Sequence, residues 1–127
     1  MVETDYTKIM EAATLLFQKS NGRISLVMSD FRHTEGKPMA LVTATVKGDD
    51  IDLLGGELEK AGINDSCAVI QDIRSNSITL ECCARINGLI PEGIRLRRCF
   101  TIDNSLPIGE HKVSFFLFMK EMKEQSV

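Results

Sequence analysis

Between residues 5 and 20, Ile9, Ala13, Leu16 and Phe17 recur at helical spacing, which predicts an amphipathic helix with one apolar stripe. Thr4 or Asp5 can cap its start and Asn21-Gly22 supplies its stop. The period then shortens to two. Ile24, Leu26 and Met28 alternate in a first strand, and residues 39–46 give a second, rich in Val and Thr. Residues 30–38 between them have the Gly, Pro and polar content of a hairpin loop. Helical spacing returns at Ile51, Leu54, Leu58 and Ala61 and is ended by Gly62. Asp49 and Asp50, just before this second helix, suit the positive end of its dipole and can accept from its unpaired amides. Gly55 and Gly56 lie inside it, each weakening a helix by about 1 kcal/mol, which close packing against a sheet would offset.

From there on the pattern predicts strands. Residues 66–73 form one, residues 74–77 a tight turn, and Ile78, Leu80, Cys82, Ala84 and Ile86 alternate with Thr79, Glu81, Cys83 and Arg85 in the next. Residues 94–102 follow after Asn87-Gly88 and Pro91-Glu92-Gly93. The last strand, residues 112–119, is apolar on both faces and so is expected in the interior of the sheet. The resulting order, α-β-β-α-β-β-β-β, predicts an α+β fold: two helices on a curved, mainly antiparallel sheet of about six strands, in two layers or curling toward a barrel. Short loops and the absence of repeats or linkers make 1–127 one domain, with a charged, frayed tail over 120–127. The element order is similar to that of sensor and adaptor folds of the PAS, profilin and roadblock kind, a likeness that carries no motif.

Composition narrows the chemistry. The net charge of −3 argues against a broad nucleic-acid surface, which would need clustered Lys and Arg. No apolar run approaches the roughly 20 residues that span a bilayer, and the start Met1-Val2-Glu3-Thr4-Asp5 lacks the features of a signal peptide. The expectation is a cytoplasmic protein that engages neither membrane nor nucleic acid. Cys67, Cys82, Cys83 and Cys99 contain no Cys-x-x-Cys pair, which predicts reduced, buried thiols and no metal site.

Against the acidic background, Arg95, Arg97 and Arg98 crowd one strand. Strict alternation puts Arg98 on the same side as Ile94, Leu96, Phe100 and Ile102. Either a β-bulge at Arg97-Arg98 or an edge position turns it to solvent, or it faces the packed side and needs a partner. A ligand for these arginines would be anionic, because the guanidinium fork recognises phosphate or carboxylate in a bidentate way. Asp103 and Ser105 would add hydrogen-bonding groups. This combination faintly resembles the PilZ family, whose pattern is Arg-x-x-x-Arg followed downstream by Asp/Asn-x-Ser-x-x-Gly; here the turn follows the arginines directly and Gly109 stands one position late. The resemblance implies a sensor for a cyclic dinucleotide.

Catalysis finds no motif. His33 and His111 form no His-x-x-x-His pair, and the sequence has neither a Gly-x-Ser-x-Gly elbow nor a phosphate-cradling loop, so no cofactor is expected. The leading expectation is a non-catalytic regulatory or adaptor domain that works through protein contacts, either with a partner or as a homodimer. Phe116 and Phe118 in the last strand are the expected interface, because Phe115, Phe116, Leu117, Phe118 and Met119 offer more apolar surface than one sheet face needs. A small-anion sensor and an enzyme without a recognisable motif are the alternatives.

Overall fold

The computed structural model describes residues 2–19, 37–47 and 51–119. The strand expected over 24–28, most of the loop before residue 37, Asp49, Asp50 and the tail 120–127 lie outside them. In chain order the elements are β1 (Val2–Glu3), α1 (Tyr6–Lys19), β2 (Lys37–Lys47), α2 (Asp52–Ala61), a single 3-10 turn (Ile63–Asp65), β3 (Ala68–Ser75), α3 (Leu80–Asn87), β4 (Arg95–Ile102) and β5 (Glu110–Met119). The strands form one sheet in the order β1-β2-β5-β3-β4. Every pairing is antiparallel except β3 with β4, which is parallel.

The caps follow from sequence. The Asp5 carboxylate accepts from the Thr7 N–H at 2.9 Å at the start of α1, and Gly62 ends α2 at φ 92°, a left-handed conformation that a side chain would strain.

Residues 78–86 depart from the expectation of a strand: they form the start and body of α3. Their alternation coexists with a second pattern, Ile78, Cys82, Ile86 and Leu89, which has helical spacing, and these are the residues that pack against the core. Leu80, which a strand would have placed on the same side, is 90% exposed. The Thr79 hydroxyl accepts from the Cys82 N–H at 3.1 Å and caps the helix. With a helix between them, β3 and β4 become a parallel pair joined by a crossover rather than a hairpin. Among the described residues the fold is therefore α+β with a five-stranded, mostly antiparallel sheet and three helices, in place of the six strands and two helices expected. The sheet is open, and helices cover both of its faces, so the expected two-layer arrangement is replaced by three.

One face holds α1, whose Ile9 and Ala13 pack with Leu41, Ala68, Ile70, Cys99, Phe116 and Phe118. The other holds α2 and α3, with Leu54, Leu58 and Ile86 against Val42, Val69, Ile73, Val113, Phe115 and Leu117. β5 lies between β2 and β3 and is buried on both faces, as its apolar run predicts. Among the described residues no helix is long and apolar enough to cross a membrane.

Candidate functional site

Among the described residues β4 is the terminal strand of the sheet. It pairs with β3 from Ala68↔Arg95 to Ser75↔Ile102 without a register shift, so no bulge resets the alternation at Arg97-Arg98. Arg98 shares its face with Leu96 and Phe100, opposite Gln71, and is nevertheless exposed. The edge position explains this: with no strand beyond it among the described residues, a long side chain leans off the sheet and keeps its charge in water. Its guanidinium lies near Cys83 of α3, where it partly offsets the upward shift that burial imposes on that thiol. Arg95 and Arg97 are also exposed and share the other face, the one covered by α1.

The strand also presents its backbone. The Arg95 N–H donates to the Cys67 carbonyl at 3.4 Å and the Asp103 N–H to the Ser75 carbonyl at 3.0 Å. In a strand the N–H and C=O of one residue point to the same side, and successive residues alternate. The N–H and C=O of Leu96, Arg98, Phe100 and Ile102 are thereby directed away from β3, and nothing among the described residues pairs with them.

Asp103 and Ser105 do not join the arginines. Asp103 stands five positions beyond Arg98, just past the end of β4, about 17 Å away at strand rise. The Asp103 carboxylate accepts from both the Ser105 N–H, at 3.0 Å, and the Ser105 hydroxyl. These bonds hold its carboxyl below the usual carboxylate range, so the turn keeps a negative charge, unfavourable for a second anion. The loop after β4 is tied to the loop after β3 as well: the Gly109 N–H donates to the Ser77 hydroxyl at 2.7 Å, and the Asn76 side chain to the Leu106 carbonyl at 3.4 Å. Phe116 and Phe118 have no exposed surface and lie under α1 within the chain.

Sequence reasoning passed over the polar side chains of β3. Every residue of this strand is buried, yet it carries Gln71, Asp72, Arg74 and Ser75. The Arg74 guanidinium bonds the Asp72 carboxylate at 3.3 Å and donates to the Leu16 carbonyl, in the last turn of α1, at 2.6 Å. It thus supplies one of the carbonyl partners that a helix end lacks and fastens α1 to the sheet. Burial pushes the Asp72 carboxyl up from its usual range, against the pull of Arg74 and of the Cys99 thiol.

On the opposite face the Ser75 hydroxyl contacts His111 Nδ1 at 2.6 Å and accepts from the Ser77 N–H at 3.0 Å. Desolvation lowers the His111 pKa, which favours the neutral ring. A serine beside a neutral imidazole is the beginning of nucleophilic chemistry, but Ser75 has no exposed surface, so the pair meets no substrate in this conformation. The Gln71 side-chain amide donates to the Asn87 side-chain oxygen Oδ1 at 2.9 Å, and its own Oε1 is the one buried side-chain polar atom without a partner among the described residues. The signal for this group was the run Gln71-Asp72 and Arg74-Ser75 inside a strand otherwise made of Ala, Val and Ile: polar residues in an interior strand have to find partners.

No protein-family model matches the chain, and no curated protein is significantly similar to it.

Proposed function

We propose that the chain is a cytoplasmic, non-catalytic adaptor or regulatory domain that binds other proteins by extending its sheet at β4. The observation that carries this reading is the eight-residue terminal strand whose outward backbone groups, at Leu96, Arg98, Phe100 and Ile102, have no partner among the described residues. Such an edge is a template for another chain. The opposite end of the sheet is different in kind, since β1 has only two residues.

A second reading, a sensor for a phosphate-bearing small molecule, draws on Arg95 and Arg97, which share a face two residues apart. Arg98 lies on the other face and Asp103 beyond reach, so only part of the arginine cluster would serve it. Homodimerisation would use the same β4 edge, because Phe116 and Phe118 are covered within the chain.

Selection of binders from a displayed library of short random peptides, followed by hydrogen exchange on the complexes, tests the first reading. Binders are expected to slow exchange at the amides of Leu96, Arg98, Phe100 and Ile102. Binders that protect other segments and leave these four unchanged would overturn it. Thermal shift with nucleotides and cyclic dinucleotides tests the second.

A further inference from the structure

Resting on the reading of β4 as the binding edge, we infer that its partner is an acidic extended segment that pairs antiparallel with the strand and carries carboxylates in the order acid-acid-x-acid. Over Arg95–Ile102 the chain has three arginines and no acidic residue, although its net charge is −3. Charge alone does not select this ligand. The distribution of charge does, because Arg95 and Arg97 stand on one face of the sheet and Arg98 on the other.

A compact anion approaching from either face meets only part of the set. An added strand meets all of it, because its side chains alternate between the same two faces. Directly opposite positions in an antiparallel pair are about 4.5–5.5 Å apart at Cβ, the range in which opposite charges attract across strands.

Antiparallel pairing also fixes the order of residues. Read from its N-terminus, the segment meets Ile102 first and Arg95 last. Positions opposite Ile102, Phe100 and Leu96 lie on the α2 and α3 face, where Leu96 and Phe100 are partly buried against the core and Ile102 is 65% exposed. These positions call for apolar side chains. Positions opposite Arg98, Arg97 and Arg95 call for carboxylates, which produces the acid-acid-x-acid order with an apolar residue at x. A parallel segment would need acid-x-acid-acid instead. A second copy of β4 would bring three further arginines to the same edge, an unfavourable gathering of like charge.

The probe is a synthetic peptide, Ile-Thr-Val-Thr-Glu-Glu-Val-Glu, labelled at its N-terminus and titrated with the full chain by fluorescence anisotropy. Binding is expected, with slower exchange at the amides of Leu96, Arg98, Phe100 and Ile102 and weaker affinity as salt is raised. The double change Arg95→Glu and Arg98→Glu, at two exposed positions, should weaken binding at least about tenfold. A peptide with lysine at the two positions opposite the changed residues, and glutamate kept opposite Arg97, should recover affinity for that variant, and equal melting temperatures of the two proteins would exclude a folding defect.

If this peptide fails while library-derived binders protect the same amides, the acidic partner is overturned and the edge reading survives. If the peptide binds without protecting those amides, both fall. Tighter binding of a peptide in the acid-x-acid-acid order overturns the antiparallel assignment. Saturable self-association that protects β4 assigns the edge to a second copy, and preferential binding of a single-stranded oligonucleotide assigns it to nucleic acid; either result overturns the proposal.

Discussion

β3 and β4 are adjacent strands of eight residues each, parallel and paired residue for residue, and they treat arginine in opposite ways. Arg74 of β3 is 8% exposed, ion-paired to Asp72 and bonded to a helix carbonyl. Arg98 of β4, two positions before Phe100 on a face that also holds core, stands in solvent. The backbones are alike; what differs is that, among the described residues, β3 has a strand on either side and β4 has one. Burial of a guanidinium is tolerated only with its charge and donors answered, whereas at an edge the side chain escapes at little cost. Position in the sheet, more than residue type, decides whether a charge is structural or free to meet another molecule.

The most severe test of this contrast is Arg74→Ala. Removing it takes from the buried Asp72 carboxylate its ion-pair partner, leaving only the Cys99 thiol, and from the Leu16 carbonyl its side-chain donor, and loss of one member of a buried pair typically costs about 3–5 kcal/mol. Denaturant unfolding measures it, and a loss under about 1 kcal/mol would erase the distinction between the two strands.

The next effect is in pH. The His111 pKa is lowered from an ordinary 6.5, so below that value the unfolded chain binds a proton that the folded chain resists. Stability from this site is present above pH 6.5 and falls as the pH drops through the folded value. His111→Gln should flatten that part of the profile. Asp72 acts with the opposite sign: its pKa is raised from 3.8, so its contribution is full below 3.8 and is lost as pH rises through the folded value.

Gln71→Leu should change stability by no more than about 1 kcal/mol, because it removes an unpartnered buried oxygen along with the bond to Asn87. Smallest of all, Arg98→Ala should shift stability by less than about 0.5 kcal/mol, the range for exposed positions. A cost of several kcal/mol there would mean that Arg98 is as structural as Arg74.

Helices α1 and α2 and strands β2 to β5 were legible because each has one dominant period and a clear stop, such as Gly62. α3 was not, because Ile78, Leu80, Cys82, Ala84 and Ile86 satisfy alternation while Ile78, Cys82, Ile86 and Leu89 satisfy a helix. Local sequence leaves that choice open, and the packing of the sheet makes it: the crossover from an interior strand to a parallel edge strand needs an element that travels back along the sheet. The arginine cluster was visible as a cluster, but its division between two faces and its edge position depend on strand order, which alternation does not encode. The buried polar group of β3 had a local signal, polar residues within an apolar strand, without any indication of which distant residues, Leu16, Asn87 and His111, would answer it.

The place of β5 has a consequence for synthesis. It is the last described strand in the chain and, among the described residues, the one link within the sheet between β1-β2 on one side and β3-β4 on the other. As the polypeptide emerges from the ribosome, β2 and the β3-α3-β4 unit are complete while the seat between them is empty, exposing strand edges and the apolar residues of both faces. Native pairing across the centre must wait for residues 110–119, which makes the nascent chain dependent on a late, long-range insertion. A ribosome stalled before that segment would hold two half-sheets with open inner edges, the condition in which a chaperone is most useful and a neighbouring nascent chain most hazardous.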